Sequence, residues 1–186
     1  MNETLQIIMN RRSIRQYKAK QITDTELQQI LEAAINAPNA RNQQKWHFTV
    51  IQNRKRLDSM VEQIKQNIIN SDNEFLKGRI KDPTFNPFHN APTVVIISGE
   101  DDNHFVEVDC GLAAENMVLA AESMNIGTCV VGSPDMLFAT EKVEEVKKEL
   151  GIPKVYSHVC TVTIGYKDCA TPEAKPRSKD VINYIK

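Results

Sequence analysis

The sequence predicts a single α/β layered domain over residues 1–186, and three observations carry that reading. Segments that read as strands and as helices alternate along the chain, four of the former and about six of the latter. One strand, Thr93-Val94-Val95-Ile96-Ile97, is apolar without a break, as a strand covered on both faces should be. One helix, about Val106 to Asn125, is apolar nearly all round, which predicts a central, buried element.

The elements follow in order. Leu5, Ile8 and Met9 give a brief helix over residues 4–10 that stops before a run of arginines. Thr23-x-x-Glu26 is a capping box, and Leu27, Ile30, Leu31 and Ala34 continue it at helical spacing. Pro38 biases its predecessor away from the helical region, so this helix ends by Ala37. A polar loop over 38–44 leads into a strand from Trp46 to Gln52. Leu57, Met60, Val61, Ile64 and Ile68 mark a second amphipathic helix. Residues 70–92, with Pro83 and Pro87, read as a polar, mobile excursion. After the central helix, Gly127 leads into a short strand over 128–131. A surface helix over 140–150 and a core strand over 159–166 complete the set.

Composition narrows the function. A hydrophobic fraction of 41% with 25% charged residues is ordinary for a globular domain. The formal net charge of −1 argues against a general nucleic-acid or membrane binder, so basic clusters are local features. Cys110, Cys129, Cys160 and Cys169 lack C-x-x-C spacing and read as thiols of a reducing compartment. With no signal-peptide pattern and no apolar run long enough to span a membrane, the expected location is cytoplasmic. His47, His89, His104 and His158 are scattered, and no metal site is expected.

Two basic clusters stand out, Arg11-Arg12-Ser13-Ile14-Arg15 and Lys175-Pro176-Arg177. None of the seven glycines lies in a dinucleotide or P-loop fingerprint, so a phosphate would have to be held by side chains. Arginine suits that task through its planar, permanently charged fork. In an extended segment Arg11, Ser13 and Arg15 share one face while Arg12 and Ile14 take the other. Taken alone, such a pentapeptide is more often a solvated face. In the loop after Pro38, Asn39, Asn42 and Gln44 offer neutral amides suited to a heteroaromatic ring edge, or equally to a turn.

The order R-R-S-I-R, P-N-A-R-N-Q-Q-K-W-H-F, N-I-G-T-C-V-V-G and K-P-R resembles the FMN-dependent nitroreductase family over about residues 5–182. The resemblance implies a three-layer fold, a central mixed or antiparallel sheet flanked by helices, in a homodimer with FMN at its interface. It implies that Arg11, Arg12, Ser13 and Arg15, joined by Lys175 and Arg177, bind the FMN phosphate and ribityl chain. Pro38, Asn39, Ala40 and Asn42 would reach the flavin held mainly by the other subunit. Val130, Val131 and Gly132 would turn backbone N–H groups to the flavin N5 and O4 edge, and a second-helix amide such as Asn67 would meet the pyrimidine edge. The implied activity is NAD(P)H oxidation coupled to reduction of a nitroaromatic, quinone or similar small acceptor, by ping-pong hydride transfer through flavin N5. No catalytic side chain is implied, because the hard chemistry is the cofactor's. A flavin sensor or carrier without turnover, or a dehydrogenase or reductive dehalogenase on the same scaffold, are the alternatives. The sequence departs from the family pattern at Lys45, where proline is frequent, and at Asn39 and Ala40, where serines are.

Overall fold

The computed structural model describes residues 1–186. Six helices and four strands form it: α1 Glu3–Asn10, α2 Asp24–Ile35, β1 Trp46–Ile51, α3 Arg54–Asn70, α4 Glu74–Arg79, β2 Thr93–Glu100, α5 Val106–Ser123, β3 Ile126–Val131, α6 Val143–Leu150 and β4 Tyr156–Tyr166. The strands lie in the order β1-β2-β4-β3, and every neighbouring pair is antiparallel. Of the two sheet types the resemblance allowed, the antiparallel one is found.

The unbroken apolar run in β2 has its explanation in the two cores. Val94 and Ile96 point to one face, where Leu57, Met60, Ile64 and Ile68 of α3 and Val146 and Leu150 of α6 cover them. Val95 and Ile97 point to the other, against Ile30 and Ala34 of α2 and Ala114, Met117 and Val118 of α5. Period-2 alternation therefore fills two layers from one strand. The result is three layers, helix on sheet on helix.

Local chemistry sets the helix ends. The Thr23 hydroxyl accepts from the Glu26 N–H while the Glu26 carboxylate accepts from the Thr23 N–H, so the capping box forms as expected. Asn2, Asn53 and Asn73 cap α1, α3 and α4 through their side-chain oxygens. Gly151, at φ 68°, closes α6 in the left-handed region.

Two expectations need correction. Residues 70–92 are not a loose excursion. They contain α4, and they drive Phe85 and Phe88 into the core beside α3. The polar majority of that stretch hid two buried anchors. Helix α5 is also not enclosed all round: Val108 and Leu112 remain 57% and 40% exposed on the face turned away from the sheet.

Candidate functional site

The arginine segment is an extended strip laid along β3. Helix α1 ends at Asn10, and Arg11 already has extended dihedrals. The Ile14 N–H donates to the Thr128 carbonyl at 2.8 Å, the Lys18 N–H to Tyr166 at 2.9 Å, and the Asp168 N–H to Gln16 at 3.0 Å. The Tyr17 hydroxyl donates to the Ile14 carbonyl at 2.5 Å and lies 2.8 Å from the Thr163 hydroxyl. Burial holds this phenol well above its ordinary range, with the Thr163 bond opposing, so it stays a donor. Ile14 is fully buried. Arg12 turns back on its own chain, with Nη1 donating to the carbonyls of Met9 and Arg11, where a cation also complements the helix terminus. Its buried Nε has no partner. Arg15 makes only a 3.5 Å contact with the Ser13 carbonyl.

Arg15 lines a cavity of about 250 Å³ together with Val130, Val131 and Gly132 at the end of β3. Gly132 has an ordinary φ of −98°, and a β-carbon there would meet nothing within 4 Å. Neither backbone conformation nor packing within the chain calls for glycine at this place. Open space lies in front of it, and half-exposed Val130 stands beside it.

The rest of the wall comes from the stretch that looked unpromising in sequence. Phe75 and Arg79 of α4 reach the cavity, with Asn86 and His89 from the turn before β2. His89 and Asn90 both have positive φ, 53° and 56°, a conformation uncommon outside glycine. Burial first, then the charges of Arg15 and Arg79, depress the His89 pKa below its ordinary value. The signal that could have found these residues was the pair of aromatic anchors, Phe85 and Phe88, in an otherwise polar stretch.

Asn67 lies elsewhere. Its amide donates to the Met136 carbonyl at 2.9 Å and faces a separate recess beside α6. It pins the turn over Ser133–Leu137, and Asn86 is the amide on the wall of the Arg15 cavity.

The 38–44 loop does not line this cavity. It is built tightly, with Arg41, Asn42 and Gln44 all at positive φ. Buried Asp109 of α5 accepts from the Ala40 N–H at 3.0 Å, and the Asn39 side chain accepts from the Gln44 N–H at 2.8 Å. Lys45, standing where proline is frequent, is fixed by an ion pair with Glu100. Lys175 and Arg177 lie in the exposed, irregular segment 171–186.

A larger recess of about 630 Å³ lies on the other side of Gly132, lined by Asp101, Glu107 and Asp135 and by no lysine or arginine. Its carboxylates make it unfit for an anion. There His158, its side chain 3% exposed, stacks on Phe138 at 4.9 Å and lies between Asp135 and Thr161. Burial lowers its pKa despite Asp135, so the neutral ring donates from Nδ1 to Asp135 and accepts from the Thr161 hydroxyl at Nε2. No group of three potential metal ligands gathers anywhere, and no helix is long and apolar enough to cross a membrane.

Known proteins resemble this chain in sequence and arrangement. The model of the Nitroreductase family matches residues 8–166. A nitroreductase with bound FMN from Bacteroides fragilis superposes with a TM-score of 0.93, at 34% identity and over 100% of both chains. An Archaeoglobus fulgidus protein with a provisional NADH dehydrogenase/NAD(P)H nitroreductase assignment is 31% identical, over 89% of this chain and 86% of its own. The NADPH-flavin oxidoreductase of Vibrio harveyi is 29% identical, over 95% of this chain and 70% of its own.

Proposed function

Since the chain belongs to the Nitroreductase family, we propose that it is an FMN-dependent oxidoreductase that takes hydride from NAD(P)H and reduces nitroaromatics, quinones or similar small acceptors. The observation that carries this reading is the cavity at the end of β3. It sets Arg15 on a wall that carries no carboxylate, beside a glycine that has open space in front of it. The unpartnered Nε of Arg12 adds a buried donor to the same segment. An anionic molecule carrying a flat ring fits that donor set.

Bound FMN would supply the two-electron hydride chemistry at its N5. The chain's own work is to hold and orient. Arg11, Ser13 and Arg15 would take the phosphate and ribityl end, with Lys175 and Arg177 joining from the terminal segment and Arg12 bracing α1 behind them. Main-chain N–H groups of Val130, Val131 and Gly132 would meet the ring edge, where a glycine permits close approach. The Asn86 amide on the same wall is engaged within its own turn, donating to Asn90 and accepting from the Phe88 N–H.

The functional unit in this reading is a homodimer. The rigid 38–44 loop, with Pro38, Asn39, Ala40 and Asn42, would complete the partner's site rather than its own. Exposed apolar side chains on α1 and α5 (Ile8, Met9, Val108 and Leu112) supply a face for an isologous interface. Four free cysteines suit a reducing, cytoplasmic setting. Burial pushes Cys110 up to about 12 and Cys160 to about 11, leaving both inert.

The test is steady-state turnover. NADH-dependent reduction of a quinone or nitroaromatic, with parallel double-reciprocal lines, is the expected result. Retained flavin without turnover on either donor would replace the enzyme reading with a sensor or carrier.

A further inference from the structure

The FMN reading assigns Arg15 but leaves two basic groups of the same cavity without a task, and the following inference rests on that reading. Arg79 sits 5.4 Å over the buried Phe85 ring, which fixes its direction, and its guanidinium makes no hydrogen bond or ion pair. Asp82 is near enough to feel its charge, yet its Oδ1 is engaged by the Thr84 N–H at 2.8 Å and hydroxyl at 2.6 Å. The His89 ring, on the wall of the same cavity, likewise has no hydrogen-bond partner. Phe75, 73% exposed, adds an aromatic surface at the same wall. A fork of unspent donors, an imidazole and an aromatic face form a receptor for a ring that bears an anionic group.

We infer that Arg79, assisted by His89, recognises a carboxylate on the electron acceptor, so that the preferred acceptors are anionic aromatics. Arg79 ends α4 and His89 lies in the turn before β2, both outside the arginine strip and β3, so acceptor choice is separated in the chain from cofactor retention.

The experiment compares 4-nitrobenzoate with nitrobenzene as acceptors for the FMN-loaded protein, and repeats the pair with Arg79→Gln and Arg79→Lys. The expected result is that Arg79→Gln lowers the ratio of kcat/KM for 4-nitrobenzoate over nitrobenzene by about tenfold or more, the worth of a hydrogen bond to a charged group. Arg79→Lys should restore part of that ratio. A ratio that does not move overturns the inference, because Arg79 then acts through the cofactor or the fold, or not at all. A rise in the KM for NADH with no change in ratio also overturns it, and assigns the cation to the donor. Flavin absorbance and its bleaching by NADH are recorded for each protein. A wild type that fails both removes the underlying FMN reading; one that passes both, with an unmoved ratio, removes this inference alone.

Discussion

Ile14 packs directly on the main chain of Gly127: a β-carbon at Gly127 would lie 2.9 Å from Ile14 Cγ2 and 3.0 Å from its Cβ. That contact seats the arginine strip on the sheet, and the Ile14–Thr128 hydrogen bond depends on it. Gly127→Ala should therefore cost about 1–3 kcal/mol through overpacking. In a chain of this size the melting temperature would drop by a few degrees, roughly 2–4 °C per kcal/mol. Thermal unfolding and an FMN titration should both register the loss, because displacing Ile14 displaces Arg15.

Gly132 makes the opposite case. A β-carbon there meets no atom of the chain within 4 Å, so Gly132→Ala should leave the melting temperature of the FMN-free protein nearly where it was. FMN affinity should fall at least tenfold, since the added bulk stands where the ring edge would approach. Calorimetry of the apoprotein and flavin-fluorescence titration separate the two effects. Equal FMN affinity in the variant would refute the assignment of the β3 end.

Asp109 holds the 38–44 loop from beneath. Asp109→Ala removes the acceptor for the Ala40 N–H and for the Asn103 amide. An unsatisfied buried donor costs about 1–3 kcal/mol. Hydrogen exchange at Ala40 should rise sharply while amides in β2 and β4 keep their protection. If the loop serves the partner's site, FMN affinity falls with it even though the Arg15 cavity is untouched.

Stability should depend on pH through His158. Its folded pKa lies below the ordinary 6.5 because burial outweighs Asp135, so the unfolded chain binds more protons in the window beneath 6.5. The contribution is complete above that value and is lost as pH falls through the lower, folded one. Half-buried His89 acts with the same sign. Melting temperatures measured between pH 8 and pH 5 should decline on the acid side, and His158→Gln should flatten part of that slope. A slope identical to the wild type's would show that the ring is not held neutral.

Much of this was legible in the residues themselves. The capping box at Thr23, the stripe of α3 and the unbroken run in β2 each express a local rule, and each element formed where the rule placed it. One pair of the arginine strip was legible too, because period 2 put Ile14 opposite Arg15, and Ile14 is buried where Arg15 is exposed. What the pattern could not express was non-local. Asn67 is an exposed-looking amide on a helix, and only the tertiary fold shows its N–H committed to Met136. Residues 70–92 look loose because two phenylalanines cannot outweigh a polar background in a window, although they are enough to anchor the segment. Arg79 and His89 reach the cavity through that anchoring, which no spacing records.

The central claim, that the β3-end cavity and its arginine strip hold FMN, is tested most directly by visible absorption. Wild-type protein and the Arg11→Ala/Arg15→Ala variant are loaded with FMN, freed of excess, and treated with NADH without oxygen. The account predicts a flavin spectrum in the wild type that bleaches with NADH and returns with a quinone, and a colourless double variant. A double variant as yellow as the wild type, or a wild type that keeps no flavin, would contradict it.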